Sequence, residues 1–200
     1  MTQKRSLIPS LLACGLFCLN AFSAHAQPAA GTPPTEEPDT LILSDTLNYD
    51  DVKKESTFTG NVVMTRGQMT LNSDVLVMSE DAEGFQYGTA TADPGKLVFI
   101  RQETPEKFEV IEARGLRAEY DGKAETIEMI GQAIVTKFVC GKPFDTISGE
   151  RVKYFQATSV YQAVGGPNSA ARGGRVRSLA TPSAKAEAAA AACKQQQTAQ

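Results

Sequence analysis

The 200-residue sequence contains no tryptophan, a single histidine (His25) and almost no excess of charge of either sign. Its 20 basic and 23 acidic side chains give a formal net charge of −3. A general nucleic-acid binder needs a basic excess to displace counterions from phosphates, so this balance argues against that class. Hydrophobic residues make up 42% and charged residues 22% of the chain, which is enough for a packed core. We therefore expect one folded domain with tails.

Residues 1–26 are typical of a cleaved secretory signal peptide. Lys4 and Arg5 precede the apolar stretch Leu7–Phe22, and an Ala-x-Ala site follows at residues 24–26. We predict cleavage after Ala26. An uncleaved membrane anchor is disfavoured, because the apolar stretch is shorter than the roughly 20 residues that a spanning helix needs.

Cleavage would remove the only histidine and, with Lys4 and Arg5, lower the net charge by two to −5. A chain without histidine cannot carry Ser-His-Asp or Cys-His catalysis, or a zinc site that includes histidine. Acid pairs such as Asp50-Asp51 occur in turn-like contexts, which explains them better than glycosidase catalysis does. We expect a protein that is not an enzyme and that uses no cofactor and no metal.

Two of the four cysteines, Cys140 and Cys193, would remain after cleavage. An oxidising compartment permits a disulfide between them. The sequence does not show whether their Cβ atoms approach, and Cys193 lies in a tail. A bonded and a free pair therefore both stay open.

Three regions of different composition follow the predicted signal peptide. Residues 27–39 are rich in proline, alanine and acids and predict a flexible leader. Residues 40–182 contain short alternating runs of β-branched, aromatic and aliphatic residues between Gly, Asp and Asn, without an apolar stripe of helical spacing. This pattern predicts an all-β domain. Residues 183–200 are rich in alanine and glutamine and predict disorder or a short helix, unless Cys193 pins the tail to Cys140.

A repeat lies inside the β domain. Tyr49-Asp50 is followed, eleven residues after Tyr49, by the strand that begins Gly60-Asn61. Tyr120-Asp121 is followed at the same interval by the strand that begins Gly131-Gln132. One unit of strand, turn, strand with a central glycine, turn and strand thus occurs twice, which predicts two units stacked on one continuous core.

At these residues the chain resembles the OstA-like family of lipopolysaccharide-transport proteins. The resemblance covers about residues 40–182 and implies an OstA-like β-jellyroll of two facing antiparallel sheets, open at both ends and built from some sixteen short strands. The pattern that carries it is Ser44-Asp45-x-Leu47-x-Tyr49, Phe58-Thr59-Gly60-Asn61-Val62 and Leu71-x-Ser73-Asp74-x-Leu76, with Glu112, Tyr120 and Gly131 in the second copy and Gly174-Arg175-Val176 before Pro182.

The resemblance implies a periplasmic carrier and bridge that binds lipopolysaccharide by the acyl chains of lipid A between the two sheets. It would pass this lipid from the inner-membrane complex to the outer-membrane translocon for outer-membrane assembly. The implied partners are lipopolysaccharide, an inner-membrane-anchored LptC-like jellyroll, the N-terminal jellyroll of an LptD-like translocon, and further copies of the chain arranged head to tail. The alternative is a structural periplasmic adaptor with a filled jellyroll core that binds only protein.

Alternation along a strand sends every second side chain between the sheets, which predicts the lining of such a site. The same alternation groups Met69 with Leu71, and Val75 with Val77. The unpaired edges of two terminal strands, Thr40–Tyr49 and Arg175–Thr181, would be available for strand addition. The predicted lining residues are Ile42, Phe58, Val62, Met64, Met69, Leu71, Phe99, Tyr120, Met129 and Val135, and the predicted edge residues are Leu41, Leu43, Val176 and Leu179.

Overall fold

The computed structural model describes residues 38–198, so the predicted signal peptide and almost all of the predicted leader lie outside the described residues. This part of the chain forms twelve β-strands and one α-helix. The strands are β1 Thr40–Leu43, β2 Thr46–Asp50, β3 Glu55–Arg66, β4 Met69–Glu80, β5 Gln86–Thr91, β6 Val98–Thr104, β7 Glu109–Gly115, β8 Arg117–Asp121, β9 Thr126–Val139, β10 Lys142–Phe155, β11 Val160–Val164 and β12 Arg177–Leu179, and the helix is α1 Ser183–Thr198.

The strands form two antiparallel layers. The four long strands β3, β4, β9 and β10 each pass from one layer into the other and so contribute a segment to both. Layer 1 has the order β2-β3-β4-β5-β8-β9-β10-β11. Layer 2 has the order β1-β3-β4-β6-β7-β9-β10-β12. Each layer therefore contains eight strand segments, which agrees with the sixteen short strands that the family resemblance implies.

The long strands bend where they pass from one layer to the other. On β3 the bend lies at Gly60, with φ +82°, and on β9 at Gly131, with φ +70°. Both conformations favour glycine, and a Cβ atom would also collide with the side chain of Asp45 at the first site and of Leu116 at the second. The central glycine of each repeat is thus the residue that lets a strand turn the corner.

The two copies of the repeat occupy equivalent places. Strand β8 begins 71 residues after β2, and Gly131 follows Gly60 by the same interval. The first copy builds one end of the molecule with β1 and β2, and the second copy leads to the other end, where β11 and β12 lie. Within residues 38–198, the terminal strands therefore leave free edges at both ends.

The core lies between the layers and draws on both. Val62, Ile100 and Ala133 come from layer 2, whereas Leu76 and Met129 come from layer 1. At about 25 cal/mol per Å² of buried apolar surface, this shared core is the main force that holds the layers together. The other buried hydrophobic residues of the core are Met64, Leu71, Ala90, Val98, Ala113, Ala118 and Val152.

Both predicted terminal strands are shorter than expected. The stretch Thr40–Tyr49 divides into β1 and β2, because the chain bends at Ser44 and Asp45 to pass from one layer to the other. At the other end, only Arg177–Leu179 of Arg175–Thr181 pairs as a strand, so Val176 lies just before β12 and not in it.

The tail forms helix α1, and a disulfide joins its Cys193 to Cys140 in the turn between β9 and β10, with the two Cα atoms 6.0 Å apart. A sixteen-residue helix of this composition is marginal in water by itself. The covalent link to the β domain therefore helps to hold it in place.

Candidate binding groove

An open groove of about 990 Å³ lies between the layers, mainly in the half of the interior that the first copy of the repeat builds. Its floor is apolar and buried, whereas its rim carries polar and charged side chains such as Lys54, Gln68 and Gln102. The floor residues are Met64, Leu71, Leu76, Ala90, Ile100 and Ala118. An apolar floor below a polar rim suits a ligand with a hydrocarbon part and a polar part.

The structure brings six of the ten predicted lining residues together in this groove. They are Ile42, Phe58, Met64, Met69, Leu71 and Tyr120. Three other predicted residues belong to the core and do not line the groove: Val62 and Met129 are each 1% exposed, and Val135 packs against the core cluster.

The tenth predicted residue, Phe99, lies outside the groove, so the prediction that it lines the groove is wrong. Its neighbours Val98 and Ile100 are buried in the core, so alternation along β6 turns Phe99 to the outer face. There the guanidinium of Arg114 lies 5.2 Å from the centre of the Phe99 ring.

The sequence analysis did not predict several groove residues: Leu76 and Met78 on β4, and Ala90, Ile100 and Ala118 of the floor. On β4 the inward side chains are Met69 and Leu71 before the corner, but Leu76 and Met78 after it. At the corner, two residues of β3 face a single residue of β4, so the pairing shifts by one residue. The inward residues of β3 keep even numbers through the corner, and those of β4 change from odd to even numbers. Val75 and Val77 therefore point to the outer face.

One row of inward side chains crosses the whole of layer 1 and passes through the groove. Successive pairs in register join its members, which run from the first end of the molecule to the second: Tyr49, Ser56, Met78, Gly88, Tyr120, Ile127, Tyr154 and Tyr161. The small residues Ser56 and Gly88 lie within the groove. We attribute the open space at this level to their size.

The far end of this row is filled. The rings of Tyr154 and Tyr161 stack, with centroids 4.6 Å apart and planes inclined by 27°. Burial raises the pKa of Tyr161 to about 12, with a smaller contribution from Tyr154. The Tyr161 ring therefore stays neutral in the physiological range, and the two stacked rings form a wall in the second half of the interior.

A small hydrogen-bond network shapes the rim where β2 turns into β3. The carboxylate of Asp51 accepts bonds from the hydroxyl of Tyr49 at 3.0 Å and from the ammonium of Lys54 at 2.7 Å. These bonds raise the pKa of Tyr49 and that of Lys54, and they lower the pKa of Asp51. At neutral pH the rim therefore presents a charged lysine beside a neutral tyrosine.

The predicted edge residues are exposed. Leu41 and Leu43 on β1 are 60% and 58% exposed, and Val176 and Leu179 at the other end are 40% and 50% exposed. In the part of the chain that the structure describes, β1 pairs with β3 alone and β12 with β10 alone. One edge of each of these strands is thus open to another strand.

The geometry of residues 38–198 defines a class of protein: an open β-jellyroll with an apolar groove between its layers and free strand edges at both ends. The sequence profile described as "LptA/(LptD N-terminal domain) LPS transport protein" matches residues 41–160. That match covers more than half of the chain, and the protein belongs to this family of lipopolysaccharide-transport proteins, which is not an enzyme family.

Among solved structures, the chain is similar to the crystal structure of LptH, described as the LptA homologous periplasmic component of the conserved lipopolysaccharide transport device from Pseudomonas aeruginosa. The TM-score is 0.61 at 23% identity, over 72% of this chain and 96% of that one. At this identity the likeness concerns the fold, and it confirms the predicted jellyroll.

A comparison with curated protein sequences gave no match. Among residues 38–198, no helix has the length and apolar character required to cross a membrane.

Proposed function

We propose that the protein is a periplasmic carrier that holds lipopolysaccharide by its acyl chains in the groove and leaves the sugars and phosphates outside. The observation that supports this most strongly is the open groove of about 990 Å³ with its apolar floor. This volume is at the upper end of the range of roughly 300–1,000 Å³ for ligand sites. A structural adaptor, in contrast, needs only a filled core.

The lining suits a cargo of variable acyl chains. Met64, Met69 and Met78 all line the groove, and methionine side chains adapt their shape to irregular apolar partners. Burial of one CH₂ group stabilises by about 0.8 kcal/mol, so one twelve-carbon chain would contribute roughly 10 kcal/mol before ordering costs. Because the groove is partly open, part of this surface stays wet, which keeps release feasible.

The ends of the molecule support assembly into a bridge. We propose that free edges pair with further copies, head to tail, with an LptC-like jellyroll at the inner membrane and with an LptD-like jellyroll at the outer membrane. Of the eleven large hydrophobic side chains exposed in the described residues, nine lie near the two ends. They are Leu41, Leu43, Leu47, Tyr49 and Val52 at the first end, and Val160, Val164, Val176 and Leu179 at the second.

A pair of substitutions on one strand tests the carrier function. Phe58→Gln puts a polar amide into the groove, whereas Thr57→Gln places the same amide on the opposite face of β3. We expect Phe58→Gln to weaken binding of intact lipopolysaccharide by about tenfold or more, because a buried amide without a partner is costly. Thr57→Gln should bind as the unaltered protein does.

Binding is measured by equilibrium titration of the purified protein, with deacylated lipopolysaccharide as the ligand control and circular dichroism as the check on the fold. Equal binding of intact and deacylated lipid, or equal binding by the two variants, would argue for the adaptor.

A further inference from the structure

Helix α1 is attached at two points to the rim of layer 2 in the second half of the molecule. Cys193 is bonded to Cys140 at the tip of the β9–β10 hairpin, and the helix contacts β9. Just before the helix, the backbone N–H of Thr181 donates to the carboxylate of Asp145 at 2.8 Å, and the Thr181 hydroxyl donates to the carbonyl of Phe144 at 2.6 Å. These attachments prevent the helix from swinging freely.

The rim under the helix belongs to the inner face of the layer. Alternation along β9 runs from the core residues Ala133 and Val135 to Lys137 and Val139. Lys137 pairs across the strands with Asp145, whose carboxylate also accepts the bond at the start of the helix segment. Val139 is 1% exposed although it lies outside the main core cluster. Because the helix contacts β9, we attribute part of this burial to α1.

The helix presents one face to the domain. Half-buried residues recur with the spacing of three, four and seven that marks one side of a helix, whereas Ala188 and Ala191 are exposed. The half-buried residues are Ala186, Ala189, Ala190 and Cys193. This face is apolar and small, so it can lie close to the rim.

The equivalent rim in the first half is open. Arg66, which precedes Lys137 by the 71-residue interval of the repeat, lines the groove.

We propose that α1 is a lid over the second half of the interior and that the Cys140–Cys193 disulfide is its latch. While the bond is intact, α1 covers the layer 2 side of the second half, and a lipid reaches only the first half. Loss of the bond exposes that side, while the stacked tyrosines still fill the layer 1 side. A dithiol reductant would release the latch: its two thiols become a disulfide, and the two protein sulfurs take up two electrons and two protons.

Two variants of the full chain test the lid. Cys140→Ser combined with Cys193→Ser removes the latch. Ala190→Glu keeps the bond but puts a charge on the docked face, and Ala191→Glu puts the same residue on the exposed face as its control. Carbene footprinting of the β9–β10 hairpin, without lipid, reports whether the lid is open. A photo-crosslinker at Ile147, on the inner face of the second half, reports whether intact lipopolysaccharide enters.

We expect footprinting of the hairpin and crosslinking at Ile147 to rise by about tenfold with the latch removed or with Ala190→Glu, and to stay unchanged with Ala191→Glu. Unchanged footprinting in the first two variants overturns the lid. Increased footprinting with crosslinks at Phe58 but none at Ile147 overturns its control of lipid access. The lipid readout rests on the proposed function: if the unaltered protein gives no crosslink at Phe58, that function fails, and footprinting alone decides the lid.

Discussion

The two halves of the interior share one backbone plan but differ in how it is filled. In the row that crosses layer 1, the first copy of the repeat contributes small or flexible residues, and the second contributes large ones at the equivalent positions. Ser56, Met78 and Gly88 in the first half correspond to Ile127, Tyr154 and Tyr161 in the second. The groove thus depends on side-chain size at a few positions of a repeated fold.

The outer faces differ in the same way. In the second half, the carboxylate of Glu128 accepts bonds from Arg151 at 2.6 Å and from Lys153 at 2.8 Å. At the equivalent place in the first half, Thr57 lies opposite Val77 without charge. Packing inside and ion pairs outside both strengthen the second half, so we expect it to be the more stable part of the domain.

The largest expected effect comes from emptying the filled half. Tyr161→Ala removes a stacked ring and should lower the free energy of unfolding by about 2–3 kcal/mol, since Tyr161 is partly buried. Met78→Ala, in the open half, should lower it by only about 1 kcal/mol, because the groove already lacks packing partners there. Urea denaturation measures both, and equal losses would contradict the difference between the halves.

The next effect comes from filling the open half. Ser56→Ile copies Ile127 of the second half into the groove and should weaken binding of lipopolysaccharide by about tenfold, through lost space. Thr57→Ile, on the opposite face of the same strand, is the control. Stability should stay within about 1 kcal/mol of the unaltered protein. Undiminished binding by Ser56→Ile would show that the row does not set the groove.

The two ends of the molecule invite a matched test. Leu41→Lys with Leu43→Lys places charges on the edge strand β1 and should weaken self-association by about tenfold, because edge lysines oppose strand pairing. Leu97→Lys, at an exposed leucine away from both ends, should have no effect. Sedimentation velocity measures the association. If Leu97→Lys is as disruptive as the edge variant, the free edges are not the contact.

The smallest effect concerns the outer face. Glu128→Thr copies Thr57 and should cost about 1 kcal/mol, since Arg151 is exposed and Lys153 is half-exposed, so that solvent screens both ion pairs. Burial alone would raise the pKa of Glu128, but its bonds to Arg151 and Lys153 hold it below its usual 4.5. The stability that these ion pairs contribute is therefore present above pH 4.5 and is lost as the pH falls through the lowered pKa of Glu128. Thermal denaturation at neutral and acidic pH measures it; a difference that persists in acid would contradict this origin.

The fold could be predicted from the sequence because its signals are local and occur twice. Tyr-Asp turns, central glycines and alternating strands predict an all-β domain of two stacked repeats, and the resemblance to the OstA-like family implies the jellyroll. The bend of the first terminal stretch at Ser44 and Asp45 and the shortness of β12 could not be predicted, since they depend on which layer each strand joins.

The candidate site was predictable only in part. Alternation placed Phe58 and Met64 in the groove on both sides of the β3 corner, and the structure has them there. It failed on β4, where the inward set changes at the corner and brings in Leu76 and Met78. On β6, hydrophobic neighbours occupy both faces, so the pattern alone did not show that Phe99 points outward. The position of Cys193 beside Cys140 depends on how a tail docks, which local composition does not determine.

The most direct test uses the positions that separate groove from outer face. A photo-crosslinker is placed at Phe58, at Tyr120 or at Phe99 of the purified protein, with intact and deacylated lipopolysaccharide as ligands. The account predicts crosslinks to the intact lipid at Phe58 and Tyr120 and none at Phe99. Crosslinks at Phe99 as strong as those at Phe58, or none at any position in a folded protein, would contradict an acyl-binding groove between the layers.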